Sequence, residues 1–298
     1  MNNTEFNSKP KTRISRRDFL KITKVAGLGV LFAASGNVLF SQFDPDWLDV
    51  SQVRLVLPHL PASFSGVRIV QVSDIHMGGW MNLERLQQVF DVVRSLAPSL
   101  IALTGDFVLT SDHAATNFIS EMGKMEAELK TLAASYPTLA VLGNHDYWYD
   151  ASAVLAMLER SGVRPMVNDV QRVQIGRDFV DFAGVGDVLV GENRLDQMLT
   201  KLPGQGCAIL MAHEPDFADE SAASGRFDLQ ISGHSHGGQV NLPLIGAPVL
   251  PQFGRKYPMG LYRVGSMYQY TNRGVGMTPP YVRFNCRAEI TVFTLQSL

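Results

Sequence analysis

Five short motifs constrain this chain more than anything else in it, because each sets acids, amides or imidazoles directly behind an apolar run of strand character. In order they are Ser73-Asp74-Ile75-His76 behind VRIVQVS, Gly105-Asp106 behind SLIALT, Gly143-Asn144-His145-Asp146 behind TLAVL, Ala212-His213-Glu214 behind AILMA, and Gly233-His234-Ser235-His236 behind DLQIS. Short apolar runs bounded by turn residues read as buried strands. One such motif alone would be a loop cap or a turn. Five in this order, each at the carboxyl end of a strand, describe a two-metal hydrolytic site.

The rest of the pattern alternates with these strands. Leu83, Leu86, Phe90, Val93 and Leu96 recur at helical spacing until Pro98, and Ile119, Met122, Met125, Leu129 and Leu132 repeat it. Residues 151–160 read as a third helix ending near Gly162, and 194–201 as a short fourth. Further strands are expected at 53–57, ended by Pro58 and Pro61, within 166–190 (clearest at 179–183), and at 260–264, 267–271 and 283–296. A Pro/Gly-rich stretch runs from Val240 to Gly260. With 298 residues, 46% of them hydrophobic, the chain is long enough for one substantial core. The expectation is a single catalytic domain over residues 41–298.

Residues 1–40 read as an address. Ser15-Arg16-Arg17-Asp18-Phe19-Leu20-Lys21 precedes a mildly apolar stretch over 25–40, the pattern of a twin-arginine export signal. As a helix that stretch spans ~24 Å, short of the ~30 Å hydrocarbon core of a bilayer. No clean cleavage site follows, so a removed signal and a retained membrane tether both stand. The expected partner is the twin-arginine translocation machinery. The expected location is the periplasm or the outer face of the cytoplasmic membrane, tethered or wall-associated.

Seven of the 26 Lys+Arg but only two of the 28 Asp+Glu fall in residues 1–40, leaving the body near −7. A body of that sign offers no broad basic field to nucleic acid. The two cysteines, Cys207 and Cys286, form no metal-type cluster. Export would permit them to pair, while the plainer reading is two buried small residues on separate strands.

Asp, His and Asn donors suit manganese, iron or zinc, whereas an all-oxygen shell would suggest calcium or magnesium. Two dications against the carboxylates of Asp74 and Asp106 leave positive charge for a phosphate, and a bridging water would be acidified toward neutrality. The motif set resembles that of the calcineurin-like metallophosphoesterase superfamily, over about residues 50–298. The twin arginine, Gly237-Gly238-Gln239 and the Thr271-Asn272-Arg273-Gly274 turn resemble its exported bacterial phosphodiesterase branch.

That resemblance implies an α/β, four-layer αββα sandwich, two mixed sheets flanked by helices, which is the metallo-dependent phosphatase fold. It implies two divalent metal ions, with Asp74, His76 and His236 on the first, Asn144, His213 and His234 on the second, and Asp106 bridging. It implies that His145 is no ligand but faces the leaving oxygen as the catalytic acid. One departure stands out. Many relatives place an Asp three positions after the bridging Asp to orient that histidine; here the position is Leu109, with Asp112 and Asp146 as candidate substitutes.

Other residues have plainer alternatives. Glu214 and Asp146 serve either as partners behind the ligands or as loop caps, and His59 and His113 read as surface residues. Arg273 either touches substrate phosphate or forms an ion pair in its turn. Trp80, Met81, Phe253, Tyr257 and Met259, beside Arg255 and Lys256, either receive a lipid tail or apolar headgroup or pack their loops. The expected activity is phosphodiester hydrolysis by a metal-bound hydroxide, on a substrate that includes lipid or other cell-envelope esters, with contact to the membrane. Its rivals are hydrolysis of a pyrophosphate bond in a nucleotide-linked lipid precursor and a non-catalytic envelope-binding protein stabilised by metals.

Overall fold

The computed structural model describes residues 47–110 and 118–298, so the twin-arginine segment, Asp112 and His113 lie outside the described residues. Two six-stranded sheets form the centre. The first runs β1 (Leu48–Val56), β12 (Ala288–Gln296), β2 (Arg68–Val72), β3 (Leu100–Thr104), β4 (Thr138–Val141) and β5 (Arg164–Pro165). β1 and β12 are parallel, β12 and β2 antiparallel, and β2 to β5 parallel. The second runs β10 (Gly260–Val264), β11 (Met267–Thr271), β9 (Leu229–Ser232), β8 (Ala208–Met211), β7 (Asp178–Gly184) and β6 (Asp169–Ile175). Its four inner strands are parallel, and its two edge pairs are antiparallel.

The central strands are apolar on both faces because both faces are covered. Along β2 and β3, Ile69, Leu100 and Ala102 point into the layer between the sheets, with Met211, Ile231 and Phe293. Val70, Val72, Ile101 and Leu103 point outward. There they meet α1 (Leu83–Ser95), α2 (Phe118–Ala133) and α3 (Asn144–Arg160) through Leu86, Phe90, Met125, Leu129, Val154 and Leu158. On the opposite outer face, Ala208 and Leu210 pack with Leu195 and Met198 of α4 (Leu195–Lys201) and Ala218 of α5 (Ala218–Ala223). The layers are therefore α, β, β, α, the expected sandwich.

Three differences from the sequence expectations have identifiable causes. α3 begins at Asn144, seven residues before the apolar periodicity, because Gly143 caps it and the Asp146 carboxylate accepts the Gly143 N–H at 2.9 Å. Its early turns stay off the apolar pattern because they face the site, and Asp150 breaks the helical dihedrals (φ −171°, ψ 96°). The last strand starts at Ala288 rather than 283, since the Arg283 guanidinium ties the carbonyls of Arg273, Gly274, Gly276 and Cys286. α5 was not anticipated; six residues are too few to show a period.

Candidate metal centre

The strand ends converge between the two sheets. Gln71 ties them there, its Nε2 donating to Thr104 Oγ1 and to the Ser232 carbonyl, both at 2.9 Å. Asp74, His76, Asp106, Asn144, His213, His234 and His236 are all buried. Five of these seven, Asp74, His76, Asp106, His234 and His236, hold φ between 50° and 67°. A non-glycine residue in that region costs on the order of 1–3 kcal/mol, and such residues persist where surrounding contacts over-determine them. Each strand exit here is such a place. Gly143 has no room for a Cβ, which would meet Asp106 Oδ1 and His213, and a Cβ on Gly233 would strike Ser73 Oγ and Asp74 Oδ2.

Three groups of side chains could each hold a cation: Asp74 with His76 and His236, Asp106 with His213 and His234, and His76 with Asp106 and His145. Asp106 joins the first two. Its Oδ2 lies 3.5 Å from His76 Nε2 and 3.2 Å from His213 Nε2, while Oδ1 accepts the His145 N–H at 2.9 Å. His76 Nε2 and His236 Nε2 stand 3.0 Å apart, and His236 Nε2 lies 3.4 Å from Asp74 Oδ1. With metal–nitrogen bonds of ~2.1 Å, two donors at that separation subtend roughly a right angle at one ion.

The outer nitrogens are already engaged. His213 Nδ1 donates to the Thr104 carbonyl at 2.7 Å and His234 Nε2 to the Gln252 carbonyl at 2.8 Å. Each bond keeps a proton on the outer nitrogen and turns the other, His213 Nε2 and His234 Nδ1, toward the centre. Asn144 Oδ1 is buried and has no hydrogen-bond partner among the described residues. A buried amide oxygen without a partner is costly, and a cation would satisfy it.

Charge makes the same case. Burial keeps His76 neutral, down to about 3, and holds His234 and His236 below the usual imidazole range. Burial also pushes Asp74 up to about 7, with Asp106 adding to the rise against the pull of His213. Asp106 resists its own burial because His213, His145 and His76 hold it ionised. His213 is the exception among the rings: against its burial, Asp106 holds it well above the usual imidazole range. Three neutral imidazoles, an ionised carboxylate and a fourth ring whose proton a cation would displace make a donor set that fits divalent ions.

Asp146 and Glu214 prove to be loop caps. The Asp146 carboxylate accepts the main-chain N–H groups of Asp106, Phe107 and Val108 as well as Gly143, at 2.9–3.2 Å. Glu214 accepts those of Val188 and Leu189. Neither orients His145. That ring is held by Thr110, whose Oγ1 lies 2.9 Å and whose N lies 3.3 Å from Nδ1. Thr110 was not singled out by the sequence, since nothing in a Thr beside Leu109 signals the contact.

The residues expected to touch substrate each have partners within the chain. Arg273 forms the ion pair of its turn: Nε donates to Glu289 Oε2 at 2.9 Å and Nη2 to Asp49 Oδ2 at 2.8 Å. The turn itself braces the first motif, with Val275 N–H donating to the Ser73 carbonyl and Gly276 N–H to the Asp74 carbonyl. Trp80 is buried, edge-on to Trp47 at 5.1 Å and under the Arg85 guanidinium at 4.2 Å. Arg255 is exposed, its Nε reaching the Leu250 carbonyl and its N–H the Asp216 carboxylate. Tyr257 is buried and donates its hydroxyl to Asp219. His59 is exposed and meets Asp228, and Cys207 and Cys286 are buried and unpaired.

The apolar groups that do face solvent are others. Trp148 is 54% exposed with its ring 4.9 Å from that of His145. Leu244, Ile245 and Val249 stand on the rim loop between the last motif and β10, exposed by 107%, 75% and 75%.

The model of the calcineurin-like phosphoesterase family matches residues 67–238. Metallophosphoesterase YkuE of Bacillus subtilis, an uncharacterized protein, is 32% identical over 292 residues, 96% of this chain and 99% of that one. Phosphodiesterase YaeI of Escherichia coli is 28% identical over 286 residues, 95% of this chain and 99% of that one. A solved dimetal phosphatase from Danio rerio aligns with a TM-score of 0.47 at 11% identity, over 77% of this chain and 99% of that one.

Proposed function

The chain belongs to the calcineurin-like phosphoesterase family and is a metal-dependent phosphoester hydrolase, and from that premise we propose that it is an exported phosphodiesterase with a two-ion centre, acting on esters of the cell envelope. Asp74, His76 and His236 would hold the first ion and Asn144, His213 and His234 the second, with Asp106 lying between the two groups. The observation that carries this reading is Asp106 Oδ2, which lies within 3.5 Å of a histidine from each group. Bound there, manganese, iron or zinc ions supply Lewis acidity, polarising a phosphoryl oxygen and acidifying a water molecule.

The chain's own residues do the rest. Thr104 and Gln252 carbonyls keep His213 and His234 turned to the centre. Asp146 locks four main-chain N–H groups around the Asp106 loop, so the bridging carboxylate cannot swing. His145, outside the ligand set, faces the leaving oxygen, with Trp148 beside it as an exposed surface for the leaving group.

Diester preference is supported by the similarity to phosphodiesterase YaeI. Export is supported by Ser15-Arg16-Arg17-Asp18-Phe19-Leu20-Lys21. An envelope substrate of lipid character is supported by the rim loop, where no charged residue occurs from Gln239 to Gly254 and three aliphatic side chains face water. The deciding experiment loads purified protein with manganese and presents aryl phosphate mono- and diesters beside a glycerophospholipid. Diester turnover abolished by a chelator is expected; inert wild-type protein with a full metal complement would overturn the reading. Nucleoside monophosphate released only from a nucleotide-linked lipid would favour pyrophosphate cleavage instead.

A further inference from the structure

We propose that the rim loop is a docking surface for a phospholipid bilayer, so that the strand ends bearing the candidate metal centre face lipid. This concerns where the molecule sits and stands whichever ester is cleaved. Leu244, at φ 68°, is fully exposed. A bulky apolar residue in the left-handed region is strained, and full exposure returns nothing to the fold. Ile245 and Val249 of the same loop are also exposed. Leu242 and Gly246 exchange main-chain hydrogen bonds at 2.9 and 2.8 Å across the tip, and a Cβ on Gly238 would strike Ala247 on the returning limb. The outgoing limb is tied to the segment before β12, where Phe284 N–H donates to the Gln239 carbonyl and Asn241 N–H to that of Phe284. Contacts on both limbs thus keep the aliphatic tip projecting into solvent.

Charge and chain entry identify the occupant. No charged residue occurs from Gln239 to Gly254, while a cation stands at each root of the loop. At the return root, the Arg255 guanidinium reaches only the Leu250 carbonyl. At the other, Arg287, three residues beyond Phe284, is exposed with no partner among the described residues. The acids beside Arg255 are engaged: the Asp216 carboxylate accepts three main-chain N–H groups and Asp219 pairs with Lys256. An aliphatic tip above cationic roots matches the depth profile of a bilayer, acyl chains within and phosphates at the surface. β12 is antiparallel to β2, so Arg287, just before Ala288, stands at the end where β2 runs into Asp74. β1 is parallel to β12 with Leu48 opposite Ala288, so the chain enters there too. Only residues 41–46 separate the candidate tether, residues 25–40, from Trp47. The attachment of the tether and the rim loop thus share the end of the sheets that carries the centre.

The test uses the full chain, zinc-loaded, with phosphatidylcholine vesicles made with and without phosphatidylglycerol, and reads binding by flotation rather than turnover. A fluorophore on Ile245→Cys should be quenched by nitroxide-bearing lipid. One on Ile175→Cys should not, because β6 is antiparallel to β7 and ends away from the site. Equal quenching at both positions, or none at 245 in bound protein, would overturn the proposal. Leu244→Asn, which suits the left-handed backbone, should keep the fold and lower the vesicle partition coefficient about tenfold; an unchanged coefficient would count against docking. Arg255→Gln with Arg287→Gln should erase a preference for the anionic vesicles of about fivefold per cation, and a preference that persists would remove the two arginines from the surface. If Leu244→Asn splits a dimer formed without vesicles, the rim is a contact between copies and the proposal fails. Diester turnover without vesicle binding would overturn docking alone, whereas vesicle binding without turnover would overturn only the enzymatic reading.

Discussion

The strand-end loops and the rim loop are adjacent in the chain yet built on opposite terms. In the first, main chain and rings are tied down by contacts: Asp146 takes four N–H groups, and the His213 and His234 rings are pinned from behind. In the second, Leu242 and Gly246 close a tight turn whose left-handed tip residue, Leu244 (φ 68°), is fully exposed beside Ile245. Yet the rim loop is fixed at its return end, where Gln252 receives His234 and the Asp216 carboxylate accepts the N–H groups of Arg255, Lys256 and Tyr257. Chemistry that many enzymes share is over-determined by contacts. The surface proposed to meet a substrate is held in shape but left without partners.

Breaking the first region should have the largest effect. Asp106→Ala removes the oxygen between the two histidine groups, so metal content by elemental analysis and hydrolytic activity should both fall to background. Retention of one full equivalent would show that the two groups bind independently. Gly143→Ala should act nearly as strongly without touching a ligand, because its Cβ collides with Asp106 and His213; normal metal content in this variant would mean that the loop can yield.

Arg273→Ala comes next and separates two roles. It leaves Glu289, 1% exposed, without its cation, and losing one partner of a buried pair costs about 3–5 kcal/mol. Chemical denaturation should show that loss, while kcat of the protein still folded changes little. The reverse pattern would make Arg273 a substrate contact.

Metal uptake should depend on pH through Asp74 and through His213, which Asp106 holds above the usual imidazole range against its burial. In the metal-free protein the folded pKa of Asp74 is raised to about 7 by burial. The proton is therefore held below that pH and must leave before a cation binds. Affinity measured by calorimetry should weaken as pH falls below about 7, by about tenfold per unit for each proton that must leave, with proton release visible in buffers of different ionisation heat. Flat affinity down to pH 5 would show that Asp74 is ionised without metal.

The smallest effect on the fold should come from the rim. Leu244→Ser with Ile245→Ser should change stability within about 0.5 kcal/mol and leave turnover of a soluble diester unaltered. Hydrolysis of the same ester presented in vesicles should drop; equal rates on both forms would remove the rim from substrate capture.

Much of the architecture was legible beforehand because strand and helix periods write themselves into apolar spacing. β2, β3, β4, β8 and β9 fall where their runs place them, and α1 and α2 where their spacing does. α3 was seen only in its apolar half, since a helix turn that borders a site carries the site's residues rather than the core's. The seven polar residues of the centre were legible as a set, because strand ends gather them whatever the details of packing. Arg273 and Trp80 were ambiguous for the opposite reason: each has two chemically sensible partners, and only distance separates them.

The sequence by itself therefore determined the layered α/β frame and the donor types at its strand ends, both local consequences of periodicity and side-chain chemistry. Only the tertiary structure decided which nitrogen of each histidine faces the centre, that Asp146 caps a loop while Thr110 holds His145, and which apolar groups meet water. Those outcomes depend on hydrogen bonds between segments dozens of residues apart, whose directions no single stretch of sequence contains.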